Sequence, residues 1–471
     1  MANILIATAS NWKGTAVPCD FAATAGGMSL AATGDPSVFQ IPDGTVEIKL
    51  TATPRAPTFW EATVSLAISS NGAISSAPAS KAFVAVTPPT SSNPRATVAT
   101  VHVNRFRDVT PEIFKLLKTP PTERLGEPYD QAGIDSSIYG AWPPADWDLE
   151  RLTDALFLDA QNPEKPGALN FIMDPLYGII ADNVVLKLAG VNAPQLFAVA
   201  WPAIVRRKAN AAPTPLFLFI RQGSGQNVAA GFFKGGQLGP YPNNFDYADV
   251  CLFGNLHYGK PPLESWGPKG VPYQVAKAGV NAVTVIPCNS VGPEFGVLGD
   301  TEETGRILEE LQAFMFWKAG VASPPATIGK TAIGAFSSGN LFLNKWLKNP
   351  ANRKGNFLSS VVTAIYFLDP PKNAVVDCVT SALKWAGGPE RDKRVRLYTT
   401  SPSSNAHQKL LGSKPPREPY VRNSPDNRHT ASVVSVSSWK KTFPNFAVDW
   451  DYSHHAIAAT MLTHALAQGD I

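Results

Sequence analysis

Two hydrophobic patterns divide the chain into an N-terminal part and a larger C-terminal part. In residues 1–95, apolar and polar residues alternate with a period of two over short segments, of which 45–51, 62–68 and 81–86 are the clearest. This alternation predicts half-buried strands, and turn signals such as Ser70-Asn71-Gly72 separate them. The pattern therefore predicts a small antiparallel β-sandwich domain for residues 1–95.

Residues 96–471 contain apolar runs that alternate with segments of helical periodicity. The predicted core strands are 216–220, 282–287, 330–336, 359–368, 394–400 and 446–448. Helices with one apolar face are predicted between them, for example at 373–386, and Asp300 with Glu303 forms a capping-box-like start for another. This alternation predicts an α/β domain, with a mostly parallel sheet flanked by helices on both faces.

One long segment, 226–274, lies between two predicted core strands and is rich in glycine, proline and aromatic residues. A connection of this length is usually functional or has structure of its own. It has two interpretations, which are an apolar lid or pocket wall beside the site and an irregular structural excursion. Upstream of it, the sequence predicts a linker at 88–94 and a helix at 146–159.

The candidate chemistry begins where the strand 330–336 ends. Ser337 follows this apolar run at a predicted sharp turn, with Ala335 two residues before it and Gly339 two residues after it. This is the layout of a nucleophile elbow, in which small residues flank a serine that is raised above a sheet. Glycine usually occupies the place of Ala335, and the alternative interpretation is an ordinary strand-to-helix turn.

An aspartate follows Ser337 in chain order. Asp369 ends the strand predicted at 359–368, and it either orients a catalytic histidine or caps the helix that follows. The segment after the next strand, 400–405, contains no acidic residue. Asp369 is therefore the first candidate for the acid, and Asp426 in the following loop is the reserve.

Two adjacent histidines come after the last predicted strand. His454 and His455 precede a predicted helix, and either could be the base that a serine hydroxyl requires. The alternative is a surface position at the start of that helix. The remaining histidines have no comparable context and are expected to be structural or on the surface: His102, His257, His407, His429 and His464.

An oxyanion hole requires two hydrogen-bond donors. The backbone N–H of Ser338 is one candidate, because Ser338 follows the nucleophile at the start of a helix. The loop after strand 216–220 contains Gln222 and Gly223, which are the candidates for the second donor. The alternative for this loop is a plain glycine turn.

The order Ser337, Asp369, His454 resembles the α/β-hydrolase superfamily of lipases and esterases, over roughly residues 170–471. The segment Phe-Leu-Asp-Pro at 367–370 is similar to the aspartate segment of pancreatic-type lipases. The segment Ser-His-His-Ala at 453–456 is similar to the histidine loop of cutinase-like polyesterases, which favours His454 over His455. The resemblance implies an α/β-hydrolase fold and a Ser-His-Asp triad that needs no cofactor or metal.

Composition argues against several classes of protein. The net charge is only +4 over 471 residues, and Lys and Arg are scattered, which does not indicate a nucleic-acid partner. No apolar run has the length of a membrane span, and no signal peptide is visible, although secretion would have removed one. The cysteines either form disulfides, with three possible pairings, or are free thiols: Cys19, Cys251, Cys288 and Cys378.

The sequence therefore predicts a serine hydrolase that acts on a small-molecule or polymeric carboxylic ester. A serine peptidase or an acyltransferase with the same chemistry is an alternative. A second alternative, from a different class, is a noncatalytic binding or surface protein on a hydrolase-like scaffold. The oligomeric state and the cellular compartment stay open.

Overall fold

A computed structural model describes residues within 3–108, 181–220 and 271–471, each range with gaps. The chain divides into two compact units. The first comprises Met1–Arg107, Leu188–Val191 and Glu309–Ala326, and the second comprises the rest of the chain. The predicted linker at 88–94, the predicted helix at 146–159, the predicted strand at 446–448 and nearly all of 226–274 lie outside the described residues.

The N-terminal part of the chain consists of short strands. They are β1 (Asn3–Asn11), β2 (Cys19–Ala25), β3 (Met28–Ser29), β4 (Ala32–Thr33), β5 (Asp35–Ile41), β6 (Glu47–Pro54), β7 (Ala62–Ser70), β8 (Ala73–Ser76), β9 (Phe83–Val84), β10 (Thr97–His102) and β11 (Phe106–Asp108). Two antiparallel sheets form from β1–β10, with the orders β4-β5-β1-β7-β8 and β10-β6-β2-β3, and β9 pairs with β7. The three segments predicted from their alternation correspond to β6, β7 and β9.

The alternating pattern explains which side chains of these sheets are buried. In β6, Ile48 and Leu50 are buried while Lys49 between them is exposed, because successive side chains of a strand point to opposite faces. The buried side chains of both sheets form one apolar cluster: Leu5, Ala7, Ala23, Ala25, Phe39, Ile41, Ile48, Leu50 and Ala52. Burial of this cluster is the main contribution to the stability of the two sheets.

A mostly parallel sheet forms the centre of the second unit. Its strands are β12 (Ala181–Leu188), β13 (Leu196–Pro202), β14 (Leu216–Ile220), β15 (Val283–Cys288), β16 (Thr331–Phe336), β17 (Val362–Leu368), β18 (Arg394–Thr399), β19 (Val421–Asn423) and β20 (His429–Val433). They are ordered β12-β13-β15-β14-β16-β17-β18-β20-β19. The run from β15 to β20 is parallel, whereas β12, β13 and β19 are antiparallel to their neighbours. The predicted α/β class is thus confirmed.

Helices alternate with these strands along the chain. They are α1 (Thr301–Lys318), α2 (Gly339–Lys348), α3 (Pro350–Lys354), α4 (Val375–Ala386), α5 (Ser404–Leu411), α6 (Val436–Thr442) and α7 (Trp450–Leu466), with a 3-10 turn at Gly296–Gly299 and a π-helical turn at Phe357–Val361. The predicted cap of α1 is present, because the Oδ1 of Asp300 accepts hydrogen bonds from the N–H groups of Glu302 and Glu303 at 2.9 and 3.1 Å.

Every residue of β14 and β16 is buried, as expected for strands at the centre of a parallel sheet. Gly334 in β16 is required by packing, because a Cβ there would lie 2.7 Å from the Cζ of Phe217. The ring of Phe217 therefore occupies the space above Gly334. This close packing fixes the strand whose end carries Ser337.

The predicted strand at 359–368 begins later than expected, at Val362. Its first residues belong instead to the π-helical turn Phe357–Val361. The buried ammonium group of Lys393 donates hydrogen bonds to the carbonyls of Leu358 at 3.3 Å and Ser359 at 2.6 Å. These bonds stabilise the turn, and the sequence pattern gave no sign of them.

The hairpin of β19 and β20 was not predicted. Its segment, 421–433, is mostly polar and contains Pro425, Asp426 and Asn427, which favour a loop. β20 nevertheless pairs in parallel with β18, and Ala431 and Ser432 are fully buried. Tertiary pairing here outweighs a weak local preference.

Polar contacts hold α7 against the rest of its unit. The buried amide of Gln274 donates to the carbonyl of Ala458 at 3.0 Å and accepts the backbone N–H of Thr463 at 3.0 Å. After α7, the carboxylate of Asp470 forms a buried ion pair with Arg396 of β18, with 2.6 Å between Nε and Oδ2. These bonds fix the helix that carries the candidate histidine.

Candidate active site

Ser337 lies in a strained turn between β16 and α2. Its φ is 51°, a left-handed conformation that costs a non-glycine residue about 1–3 kcal/mol. Its N–H donates to the carbonyl of Leu368 at 3.0 Å, and its own carbonyl accepts the N–H of Asn340 at 3.0 Å. The side chain is partly exposed, as a nucleophile must be. The predicted strand-turn-helix arrangement is confirmed.

Alanine fits the position that glycine usually occupies in such a turn. Ala335 is fully buried and pairs with Ile220 of β14 on one side and with Phe367 of β17 on the other. The register of the three strands is regular at this point. The departure from the usual motif therefore introduces no irregularity in the sheet.

Asp369 follows the end of the neighbouring strand β17 and also has a positive φ, 40°. Its carboxylate is 6% exposed, and its Oδ2 lies 2.6 Å from the Nδ1 of His454. Its Oδ1 accepts the N–H of Thr400 at 2.8 Å, and the Thr400 hydroxyl lies 3.2 and 3.1 Å from Oδ1 and Oδ2. Both carboxylate oxygens of Asp369 therefore have hydrogen-bond partners.

The alternative in which Asp369 caps the next helix is wrong. That helix, α4, begins at Val375, two residues later than the predicted start, and its capping residue Ala374 makes no side-chain cap. The carboxylate of Asp369 instead accepts bonds from Thr400 and His454. Asp369 is thus a buried hydrogen-bond acceptor at the edge of the sheet.

His454 lies within α7, whereas the sequence placed it before a helix. The helix begins at Trp450, so that Ser453 and His454 share a buried face with residues of its later turns, such as Ile457. If the Nδ1 of His454 donates to Asp369, the neutral ring carries its acceptor lone pair on Nε2. This is the tautomer that a general base requires.

The imidazole of His454 also contacts the strand that leads into Ser337. Its ring centroid lies 4.6 Å from that of Phe336, with an interplanar angle of 32°. Phe336 is the last residue of β16 and directly precedes Ser337. The structure thus brings the strained serine turn, the imidazole and the buried carboxylate to one edge of the sheet.

The two alternate residues are placed differently. His455 belongs to α7, but its side chain lies outside the described part of the chain. Asp426 is exposed in the turn between β19 and β20, where it accepts hydrogen bonds from the hydroxyl of Ser424 and the N–H of Arg428. These bonds, chiefly that from Ser424, hold the pKa of Asp426 below its usual value. The carboxylate that bonds His454 is Asp369, so Asp426 is not needed as the reserve acid.

Ser338 is the residue before α2 and makes no side-chain cap. Its backbone N–H therefore belongs to the positive end of that helix. Gln222 and Gly223 lie outside the described residues. The strand that precedes them ends at Ile220, which pairs with Ala335, two residues before Ser337.

A cavity of about 380 Å³ lies on the Asp369 side of this edge. Hydroxyl groups, one lysine and prolines line it: Asp369, Pro370, Lys372, Val375, Thr399, Ser401, Pro402 and Ser403. Three of these residues, Ser401, Pro402 and Ser403, belong to the segment 400–405 that follows β18.

Two buried polar residues of this site were missed by sequence reasoning. Thr400 comes from the segment 400–405, which contains no acidic residue, and its N–H and hydroxyl bond the carboxylate of Asp369, which follows the neighbouring strand. Asn340 donates from its Nδ2 to the carbonyls of Ser337 and Leu368 at 2.9 and 3.0 Å. The available signal in the sequence was an asparagine in the first turn of the helix, three residues after Ser337.

Other candidate groups in the described residues are structural. His464 is buried, lies 2.7 Å from the hydroxyl of Tyr398, and burial lowers its pKa to about 3, so it stays neutral. Burial also lowers the pKa of His407, whose Nδ1 lies 2.8 Å from the carbonyl of Ser403. Cys378 is a free buried thiol, which excludes a pairing of all four cysteines, and burial raises its pKa to about 12.

The described part of the chain contains no group of three or more His, Cys, Asp or Glu side chains that could hold a metal ion. None of its helices has both the length and the apolar character needed to cross a membrane. Comparison with models of known protein families gives no match, and a search of curated proteins finds no similar sequence.

Proposed function

We propose that this protein is a serine hydrolase that cleaves carboxylic esters with Ser337, His454 and Asp369 as its catalytic triad. The observation that carries the proposal is the buried 2.6 Å contact between Asp369 and His454, whose ring packs on the residue before a strained, partly exposed serine. Serine hydrolases use three groups of this kind: a buried carboxylate, an imidazole that bonds it, and an exposed serine at a sharp turn.

Each residue has a defined role in the proposed reaction. Ser337 attacks the ester carbonyl and forms an acyl-enzyme, and His454 takes its proton and later protonates the leaving alcohol. Asp369 holds the imidazole in the required tautomer and stabilises the imidazolium ion that forms. Water then attacks the acyl-enzyme, with His454 as the base, and releases the acid.

The topology of the sheet supports this placement. β14 lies between β15 and β16, which both follow it in the chain. The sheet therefore extends from β14 first to one side, with β15, and then to the other side, with β16. Ligands of open α/β sheets bind outside the carboxyl ends of the strands at such a change of direction. Ser337, Asp369 and Thr400 follow the carboxyl ends of β16, β17 and β18. We assign the second unit to the α/β-hydrolase fold on this basis, and the two N-terminal sheets to a β-sandwich because they share one apolar cluster.

The proposed oxyanion hole and substrate pocket extend the same reasoning. The N–H of Ser338 at the positive end of α2 is the first donor, and the backbone of Gln222 or Gly223 supplies the second. Of the two interpretations of segment 226–274, we adopt the apolar pocket wall or lid, because of the aromatic residues in its sequence. These assignments predict a preference for apolar esters, either small or polymeric.

A fluorophosphonate probe tests the proposal directly, because it reacts only with an activated serine. We expect it to label wild-type protein at Ser337, as located by peptide mass spectrometry, and to leave Ser337→Ala unlabelled. Ser413→Ala is a matched control, since Ser413 is also partly exposed but lies after α5, where its hydroxyl faces the carbonyl of Lys414. This control is expected to label like the wild type.

Hydrolysis of a p-nitrophenyl ester series then describes the pocket through its chain-length profile. Activity that survives Ser337→Ala would refute the assignment of the nucleophile. Folded wild-type protein that neither labels nor hydrolyses esters would instead favour the noncatalytic binding role.

A further inference from the structure

Two strained turns of the proposed site are joined by one buried side chain. Ser337 and Asp369 both have positive φ, at 51° and 40°. The Nδ2 of Asn340 donates to the carbonyl of Ser337 at 2.9 Å and to the carbonyl of Leu368, the residue before Asp369, at 3.0 Å. The Leu368 carbonyl also accepts the N–H of Ser337 at 3.0 Å. The nucleophile turn and the acid turn therefore share a hydrogen-bonded link.

The orientation of this amide follows from its surroundings. Asn340 is fully buried, and both of its donor hydrogens are used on the two carbonyls. Among the described residues its Oδ1 has no hydrogen-bond partner. A flipped amide would place that oxygen against two carbonyl oxygens, so the observed orientation is the one that bonds. Only a side chain with two donors on one atom satisfies both turns at once.

We propose that Asn340 is a positioning residue that keeps the Ser337 turn and the Asp369 turn in register, and thereby fixes the hydroxyl of Ser337 relative to the imidazole of His454. The proposal rests on the proposed function. Asn340 is fully buried and its amide hydrogens are bonded to backbone carbonyls, so the proposed role is one of position. Asn340 acts through Leu368 on Asp369, whose carboxylate holds the imidazole at 2.6 Å, and through the carbonyl of Ser337 on the nucleophile itself.

The expected effect is on the rate of the chemical step. Misplacement of reacting groups by about 1 Å can lower a rate by about 100-fold even when the change is made outside the chemistry. Removing the Asn340 side chain leaves only the backbone bond from the N–H of Ser337 to the carbonyl of Leu368 between the two turns, and because both turns are strained, each can relax. We expect Asn340→Ala to lower kcat and the rate constant of fluorophosphonate labelling by about 10- to 100-fold, with KM unchanged.

Asn344 provides a matched control on the same helix. It is also buried, its Nδ2 donates to Asp377 at 2.8 Å, and its Oδ1 is likewise without a partner among the described residues. Asn344→Ala therefore removes the same amide one turn further along α2, away from both strained turns. We expect the two variants to lose similar thermal stability, and only Asn340→Ala to lose labelling rate at a temperature well below unfolding.

Asn340→Asp keeps the size of the side chain and gives a second, independent readout. Burial beside two carbonyls raises the pKa of the introduced carboxyl, which as a neutral acid donates one bond instead of two. Its labelling rate should lie between those of wild type and Asn340→Ala, and it should fall as the pH rises through this pKa. The wild type should show no such loss on the alkaline side.

The outcomes separate the inference from the function on which it rests. Wild-type protein that labels at Ser337, with both Asn340 variants labelling at the wild-type rate, overturns the positioning role alone. Equal rate losses in Asn340→Ala and Asn344→Ala also overturn it, because the effect would then belong to the helix as a whole. Wild-type protein that does not label overturns the proposed function and this inference together.

Discussion

Replacing Thr400 with valine tests the support of the proposed acid. Valine has the shape of threonine without the hydroxyl, so Thr400→Val removes the bonds at 3.2 and 3.1 Å to Asp369 and keeps the N–H bond at 2.8 Å. A hydrogen bond to a charged group contributes about 1.5–3 kcal/mol. The hydroxyl distances are long for such a bond, so the lower value of about 1.5 kcal/mol applies.

This energy sets the size of the expected change. If the transition state loses all of this hydrogen-bond energy, kcat/KM falls about tenfold, since about 1.4 kcal/mol corresponds to a factor of ten. The assay is kcat/KM for a p-nitrophenyl ester, measured beside the free energy of unfolding in urea. Thr400→Ser restores the hydroxyl and should recover most of the activity.

The neighbouring residue gives a control for the same chemical change. Thr399 is the last residue of β18 and is also buried, but its hydroxyl donates to the neutral carbonyl of Ser432 at 3.2 Å. Thr399→Val should cost about 0.5–1.5 kcal/mol of stability and leave kcat/KM within about twofold of the wild type. The reasoning is refuted if Thr400→Val retains wild-type kcat/KM, or if Thr399→Val loses as much activity.

Three further changes probe the buried polar groups that hold the helix of His454. Burial lowers the pKa of His464 to about 3 from 6.5, so the folded protein binds fewer protons than the unfolded chain between these values and loses stability as the pH falls from 6.5. Between pH 6.5 and 5 this loss is about 2 kcal/mol, and His464→Asn should flatten that part of the urea-denaturation profile. Arg396→Met leaves the buried carboxylate of Asp470 without its cationic partner, with the hydroxyl of Tyr366 still bonded to it, and should cost about 3–5 kcal/mol. Arg396→Met with Asp470→Leu should recover part of this loss, and an unchanged urea midpoint in the single variant would contradict the reasoning. Gln274→Leu removes the hydrogen bonds that this side chain makes with the carbonyl of Ala458 and with the N–H and hydroxyl of Thr463, and it should cost about 2–4 kcal/mol; a loss below about 1 kcal/mol by calorimetry would exclude this contribution.

Periodicity alone was enough for the classes of the main elements. Alternation with a period of two predicted strands such as β6, and the fully apolar runs before Ser337 and Asp369 predicted β16 and β17. These predictions succeed because the apolar residues of a strand show directly, by their spacing, which of its side chains are buried. The weakly apolar strand β20 was missed because its burial depends on β18, which is distant in sequence.

The chain itself also determined the order and chemical types of the candidate residues: a serine at a strand-to-helix turn, an aspartate at the next strand end and a histidine near the last helix. These follow from local sequence, since small residues, strand ends and helix starts each have short-range signatures. Local sequence does not determine which carboxylate meets the imidazole, because that depends on the distance between residues that are 85 positions apart in the chain.

Only the tertiary structure decided between Asp369 as a helix cap and Asp369 as the partner of His454, and it did so through sheet register. The parallel pairing of β17 with β18 sets Thr400 beside Asp369, and the packing of α7 brings the imidazole to the same carboxylate. Asn340 and Thr400 belong to no sequence motif. They matter because the fold buries polar groups beside them that need hydrogen-bond partners: the carbonyls of Ser337 and Leu368 for Asn340, and the carboxylate of Asp369 for Thr400. A sequence lists the groups that can react or bond, whereas the distances that make them a site exist only after the sheet has formed.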